Sequence, residues 1–496
     1  MRDKNKFDVV VVGAGNAALC AAISASDLGA QVLVLEKAPK HLSGGNSYFT
    51  GGLFRFAYSG SNQIASLLPE ISDTEMGNID VGEYKESEFY SDVMRVTEGL
   101  SDTELLQTLT SESYPTMKWM KDKGIPWILA YGRQSFKHEG KLKFWGGLII
   151  EAVGGGKGLS DKLFQIAENA NIEIRYQNAA SQIKLDMTGK VSSIITKNTE
   201  GYEEIKCDSI VLASGGFEAN QEMRTRYLGP GWELAKVRGT KYNTGDGINM
   251  ALNIGAQSHG HWSGCHAVAW DLNAPTYGDR NIADLFQKHS YPFGIVVNMD
   301  GHRFVDEGAD FRNYTYAKYG KEILKQPQRA AFQIFDDKTK NLLRDEYFIS
   351  QVTKYQSDSI ESLANGLGVD EHNLAITVEN YNDAVTEGVF NPTILDNKGT
   401  KGIFPPKSNW AQKIDTPPFT GYAVTCGITF TFGGLKIDSS GQVMDNSDLP
   451  IKGLYAAGEI VGGIFYNNYP GGSGLMSGAV FGKIAGSNAA KSTLTA

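Results

Sequence analysis

Two glycines and a glutamate carry the first chemistry that can be read from this chain. In Val9-Val10-Val11-Val12-Gly13-Ala14-Gly15-Asn16-Ala17-Ala18 an apolar strand runs into a G-x-G-x-x-A turn and then into a helix of small residues. A residue without Cβ at Gly13 permits the tight turn, and at Gly15 it lets the backbone approach a pyrophosphate on the helix N-terminus. A second apolar strand, Val32-Leu33-Val34-Leu35, ends in Glu36, about 20 residues on, where a carboxylate accepts hydrogen bonds from an adenosine ribose. The pattern points to a dinucleotide; the bland alternative is a tight β-α turn with an acidic strand end.

Other reactive combinations are missing from the sequence. The four cysteines, Cys20, Cys207, Cys265 and Cys426, are far apart and form no C-x-x-C pair, which excludes common zinc, iron–sulfur and c-type haem signatures. Free thiols in a reducing compartment are the expectation. Gly154-Gly155-Gly156-Lys157-Gly158 opens a helix, yet Gly158 stands where an ATP-binding loop needs Ser or Thr, so close backbone approach or helix packing is expected there. His259 and His261 precede His266 on an expected loop near Trp262 and are read as structural polar residues; no metal set emerges.

The elements that must position these residues follow from composition and periodicity. At 496 residues, 41% hydrophobic and 21% charged, the chain fits a globular protein of two or three domains, long enough to bury a large cofactor. A net charge of −9 argues against nucleic acid or an anionic membrane as the main partner. Met1 to Lys6 enters the first strand without a signal-peptide core, and no apolar run approaches a membrane span, so a cytoplasmic location is expected. After Glu36, Ser43 to Ser47 and Thr50-Gly51-Gly52 form a loop dense in backbone donors. Residues 83 to 130 carry helical periodicity, and a helix is expected over 159–170. Strand-like segments follow at 172–176, 181–186, 191–197 and 210–213, the last ending in Ser214-Gly215-Gly216-Phe217. From about 263 to 425 aromatic and polar residues mix, and helices such as 374–385 are expected. A strand at 453–457 ends in Gly458-Glu459, and Tyr469-Pro470-Gly471-Gly472-Ser473-Gly474-Leu475 runs into a C-terminal helix.

In this order the stretches resemble the flavoprotein family of fumarate reductases and succinate dehydrogenases, which also includes tricarballylate dehydrogenases, urocanate reductases and 3-ketosteroid dehydrogenases. The matching residues are the N-terminal turn with Glu36, Gly44-Gly45-Asn46-Ser47, Ala213 to Phe217, Asn243 to Gly247, Val297-Asn298 through Arg303-Phe304, and Gly453 through Glu459. Shorter matches, Gly13 to Ala22, Arg238 to Asn243 and Cys265 to Ala269, resemble the tricarballylate dehydrogenase-like group. The resemblance implies FAD. It places Gly13, Gly15, Asn16 and Ala17 at the turn, Glu36 and Lys37 at the ribose, and Gly45, Asn46, Ser47, Gly51 and Gly52 near the flavin. Ala180, Ser214, Gly215, Asp246, Thr431 and Glu459 support the cofactor, and Gly474 and Leu475 meet the pyrimidine edge. A helix N-terminus there stabilises negative charge on the reduced ring. Members with covalent flavin use a histidine in the loop corresponding to Asn46 to Gly52; this loop has none, so noncovalent FAD is expected.

Hydride exchange with flavin N5 requires a matched proton transfer and donors for the developing negative charge. By resemblance His266 is the first of two carboxylate-gripping histidines, but Phe430 takes the place of the second and Tyr469 that of a carboxylate-binding arginine. A phenol does not reproduce a bidentate guanidinium, so one carboxylate, a ketone or an aromatic substrate becomes more plausible than fumarate. Arg312 lies near the spacing of the lid's proton-transfer arginine and would need Glu307 or Asp310 as relay; a surface salt bridge is its bland alternative. Tyr314 and Tyr316 are rival acid/base groups, and Tyr469 with Gly472 fits a ketone-binding role.

The expected fold is α/β: a Rossmann-like FAD-binding domain, with a helical insertion, formed by residues 1–262 and 426–496, and an inserted α+β capping domain over 263–425. The expected activity is that of an FAD-dependent oxidoreductase forming or reducing a C–C double bond next to a carboxylate or carbonyl. A ketosteroid- or cyclohexanone-type dehydrogenase is the enzymatic alternative, and a flavin-binding protein without turnover the other. A small carboxylate or ketone substrate and an external electron donor or acceptor, a redox protein or a quinone, are the expected partners.

Overall fold

The computed structural model describes residues 5–68, 70–138, 140–144 and 147–494. The chain separates into two compact units, the first made of Met1–Pro230, Gly239–Cys265 and Phe430–Ala496, the second of Gly231–Arg238 and His266–Thr429. This split differs from the sequence-based boundaries chiefly at residues 231–238. Those residues join the second unit because Lys236 and Val237 pair in parallel with Gly427 and Ile428.

In the first unit, four parallel pairings build the heart of an eight-stranded sheet among the described residues. Lys6–Val12 lies between Gly201–Leu212 and Val32–Leu35, Glu173–Arg175 extends the sheet beyond Val32–Leu35, and Pro450–Ala456 adds to Gly201–Leu212. Val9 to Val12 and Val32 to Leu35 are buried on both faces, as the unbroken apolar runs require. Gly201–Leu212 starts well before the expected 210, because its first half pairs antiparallel with Val191–Asn198, Asn198 opposite Gly201.

The helix Asn16–Asp27 and the C-terminal helix Ser473–Leu494 pack face to face through small residues; a Cβ on Gly482 would lie 2.4 Å from the Ala17 carbonyl oxygen. Helices Glu86–Val96 and Thr103–Asp122 fill most of the predicted helical insertion, with Leu105, Leu106, Leu109, Met117 and Met120 inward. The Asp102 carboxylate caps the second of these helices by accepting from the Glu104 and Leu105 amides, both at 3.0 Å. Two local expectations are corrected. The segment after Gly44 is a 3-10 turn, Gly45–Phe49, rather than an irregular loop. His259 and His261 sit on the strand Ser258–Asp271 rather than on a loop; the Asn467 amide donates to His261 Nδ1 at 2.9 Å.

In the second unit the strands Ile295–Asn298 and Ala331–Phe335 pair antiparallel, and Ala331–Phe335 pairs in turn with the long strand Phe419–Leu435. Ile360–Leu367 and Glu371–Ala384 pack Leu363, Leu374, Val378 and Tyr381 against Ile295, Val297, Phe332 and Ile334 of that sheet. No helix among the described residues is long and apolar enough to cross a membrane.

Candidate functional site

The glycine turn of the first unit opens onto a groove at the ends of the parallel strands. Gly13 has φ +104°, and a Cβ there would lie 2.4 Å from the Ala213 carbonyl oxygen, so only glycine fits. The Asn16 amide donates to Ser47 Oγ at 2.9 Å, and Asn16 Nδ2 donates to the Leu475 carbonyl at 2.8 Å. That second bond ties the first glycine motif to the last, across more than four hundred residues of chain.

Glu36 is 6% exposed, and its Oε1 accepts from the Ala38 amide at 2.6 Å. Burial raises its pKa to about 7, against the opposing pull of the Ala38 and Ala14 amides. Lys37 donates to Asp246 and Thr244, both at 2.6 Å. Of the expected cofactor residues, Gly13, Gly15, Asn16, Ala17, Glu36, Lys37, Gly45, Asn46, Ser47, Ala180, Ser214, Gly215, Asp246 and Glu459 line this groove. Gly51, Gly52, Thr431, Gly474 and Leu475 do not, although Thr431 and Leu475 are bonded to residues that do. Asn178 also lines it, and so do Thr240, Tyr242 and Asn243, which belong to matched stretches but were not expected at the cofactor. The glycine-rich helix Gly155–Asn169 packs on the turn after Gly44, its Gly156 amide donating to the Thr50 carbonyl at 2.9 Å.

Beside the groove two carboxyls face each other in the interior. Glu218 is fully buried; its Oε1 accepts from Asn46 Nδ2 at 2.6 Å and from Asn243 Nδ2 at 2.7 Å. Glu459 Oε1 accepts from the Thr431 amide at 2.9 Å. Burial and the neighbouring carboxyl push Glu218 well above the carboxylate range, and burial also raises Glu459. The neutral form of Glu218 is thereby favoured beside Glu459, and its Oε2 is buried with no hydrogen-bond partner among the described residues. Glu218 directly follows the Gly215-Gly216-Phe217 motif, but sequence alone offers no sign that it meets Glu459.

At the head of the C-terminal helix the first unit builds an aromatic box. Phe430 packs edge-on against Phe432, Phe465 and Tyr469, with ring centroids 5.3, 5.9 and 5.1 Å away. Gly474 sits under it, open enough that a Cβ would only touch Phe430 and Tyr469 at 3.7 Å. Gly472 has φ +84°, and a Cβ there would lie 2.4 Å from Leu148 Cδ1 and 2.9 Å from the Arg55 amide. Its glycine is therefore required by packing on Arg55, a fully buried side chain whose Nε donates to the Gly471 carbonyl at 2.9 Å. This structural demand stands beside the ketone-binding role expected for Gly472.

The second unit gathers the remaining candidates into a cationic cluster. Tyr316 begins the helix Tyr316–Leu324, and its ring is packed edge-on by His266 at 5.0 Å and by His289 at 4.9 Å. His266 is 0% exposed, and burial together with the Arg238 charge holds its pKa well below the usual histidine range. Arg312 lies on the short turn Arg312–Tyr314 just before this helix. Burial, with the like charge of Arg344, pushes its guanidinium pKa down to about 9, while Glu346 opposes the shift. Glu307 is not its relay: both carboxylate oxygens accept from Arg303, at 3.0 and 2.5 Å, and Oε1 also accepts from the Val296 amide at 2.7 Å. Asp310 accepts from the Phe311 amide at 2.7 Å. Tyr314 is half-buried on the same turn. His289, Arg344 and Glu346 were missed in the sequence, where no motif surrounds them, and Arg238 opens the matched stretch Arg238 to Asn243 without having been given a role there.

The family described as FAD binding domain matches residues 8–475. The chain belongs to that family. A probable fumarate reductase Ifc3 from Shewanella frigidimarina is 29% identical over 98% of this chain and 75% of its own length. A vinyl phenol reductase from Lactiplantibacillus plantarum is 26% identical over 99% of this chain and 97% of its own. The open conformation of a flavocytochrome c3 fumarate reductase superposes with a TM-score of 0.73 at 28% identity, covering 99% of this chain and 79% of that one. The protein is an FAD-dependent oxidoreductase acting on a CH–CH group. The residues present fit FAD: the groove has a turn only glycine can make, a backbone-braced carboxylate at Glu36 and a continuous small-residue lining. Bound there, FAD supplies the hydride acceptor or donor.

Proposed function

We propose that the protein reduces or introduces a C–C double bond conjugated to a single carboxylate, a carbonyl or an aromatic ring. The observation that carries this reading is the aromatic box of Phe430, Phe432, Phe465 and Tyr469, in which Phe430 and Tyr469 take what the family resemblance implies are the places of a carboxylate-gripping histidine and arginine. The vinyl phenol reductase relative, named for an alkene on a phenol, agrees with such a box. In this reading residues 1–262 and 426–496 bind FAD noncovalently and residues 263–425 cap it. Gly13, Gly15, Asn16, Ala17, Glu36 and Lys37 hold the adenosine diphosphate end. Asn46, Ser47, Glu459, Gly474 and Leu475 hold the flavin end. His266 and Tyr469 orient the activating group. Arg312 delivers or removes the proton, in preference to Tyr314 and Tyr316, because its environment weakens its hold on that proton.

Electrons pass to or from an external redox protein or quinone, and the protein works in the cytoplasm, in keeping with four buried cysteines spread widely along the chain. Cell fractionation checks the location. The reaction is tested anaerobically by following flavin absorbance. An enoate or aryl alkene should reoxidise the reduced enzyme, or its saturated product should bleach the oxidised one. Bleaching by a cyclic ketone instead would favour the ketosteroid-type alternative. No response to enoates, aryl alkenes, polycarboxylates or cyclic ketones would leave a flavin-binding protein without turnover.

A further inference from the structure

The buried titratable group that this reading leaves unused is His289. Its ring is 2% exposed, and both nitrogens are buried with no hydrogen-bond partner among the described residues. A core imidazole ordinarily donates through one nitrogen and accepts through the other, so two idle nitrogens mark an unfinished site. The groups acting on it are Arg312, Arg238, Arg344 and His266, with the Tyr316 ring against its side. Arg238 is unfinished too. Its Nε is buried without a hydrogen-bond partner among the described residues, and its amino groups reach only Thr429 at 3.3 Å, Gln287 at 3.4 Å and Asp284 at 3.8 Å. Asp284 also accepts from Gln287 at 3.0 Å, and Glu346 accepts from Arg344 at 2.9 Å. Arg238 thus has no close carboxylate of its own among the described residues, Asp284 at 3.8 Å being the nearest.

Resting on the function proposed above, we propose that His289 is a substrate-contacting residue which, with Arg238 and His266, takes the single carboxylate of an anionic enoate. A ring N–H of His289 donates to one carboxylate oxygen, and the Arg238 guanidinium supplies the balancing charge. Burial keeps both imidazoles neutral and the nearby arginine charges add to it; an entering anion offsets those charges and so favours uptake of a proton from solvent by the histidine pair.

Calorimetric titration of the FAD-loaded protein with acetate, benzoate and cinnamate, and with benzamide as the uncharged control, tests this without requiring turnover. Run at pH 7 in two buffers of different ionisation heat, it reads affinity and proton uptake together. The expected result for His289→Leu is carboxylate affinity lower by about tenfold, benzamide affinity and FAD content unchanged, and a smaller buffer-dependent heat. His289→Gln, which keeps an N–H donor, should recover affinity without recovering proton uptake, and it serves equally if the leucine variant does not fold. Unchanged carboxylate affinity and proton uptake in both variants would overturn the proposal. So would a wild-type protein that binds none of the three carboxylates. A wild-type protein that binds them but whose flavin answers no alkene or saturated product would overturn the proposed reaction and leave the anion site standing.

Discussion

The cofactor groove and the cationic cluster are built on different principles. The groove of the first unit is made mostly of backbone: a glycine turn, a helix N-terminus and small residues, with Glu36 braced by the amides that follow it. The cluster of the second unit is made of side chains from Arg238, His266, His289, Arg312, Tyr316 and Arg344, none adjacent in sequence to another. A backbone site depends on local φ/ψ geometry and tolerates no added atoms. A side-chain site depends on charge balance and tolerates shape changes but not the loss of a donor. The first is general to a cofactor, and the second can be retuned to a substrate.

That contrast can be broken in four ways. The largest effect is expected at Gly13→Ala, where the new Cβ meets the Ala213 carbonyl at 2.4 Å on a backbone with φ +104°. A loss of about 3 kcal/mol and failure to retain FAD should show in thermal melts and the flavin spectrum, and a yellow, stable variant would contradict the backbone account. Arg312→Ala should lower turnover by about 10² to 10⁴-fold while leaving bound FAD unchanged. In the wild type the proton donor is active when protonated, so activity should hold at neutral pH and fall as pH rises through about 9. Arg312→Lys should shift that break, whereas an unmoved profile in a still active Arg312→Lys enzyme would pass the role to Tyr314 or Tyr316. A smaller effect, about 10- to 100-fold in FAD affinity, is expected for Glu36→Gln, which keeps the shape and removes the charged acceptor; fluorescence titration of the apoprotein measures it. The smallest belongs to Tyr469→Phe. If Tyr469 serves mainly as an aromatic wall for Phe430, steady-state turnover should change by less than about threefold, and a much larger drop would make its hydroxyl a donor to substrate.

Much of the first unit was legible because its determinants lie close together along the chain. The strand Val32–Leu35 and the acidic residue after it fall where the pattern placed them, and the C-terminal helix begins at Ser473, inside the stretch read as its start. Less legible were features set by pairing between distant segments. The 231–238 stretch changed units because of two backbone pairings with residues near 427. Gly472, expected as a ligand contact, is also required by packing on Arg55, some 417 residues earlier, a demand no local pattern shows. Glu307 looked like a relay until Arg303, only four residues before it, was found to hold both of its oxygens.

The sequence by itself determined a dinucleotide site, because a strand, a glycine turn and an acid at fixed spacing define one through local geometry alone, while FAD in particular rested on the order of motifs reaching Gly458-Glu459 and Gly471 to Leu475. It also raised the expectation that the grip on the substrate departs from a dicarboxylate clamp, since Phe430 and Tyr469 carry no charge. Only the tertiary structure decided that Glu218 is buried beside Glu459, and that His289 and His266 flank one tyrosine amid three arginines. Such encounters are set by packing and by the balance of buried charge, which no spacing along the chain records.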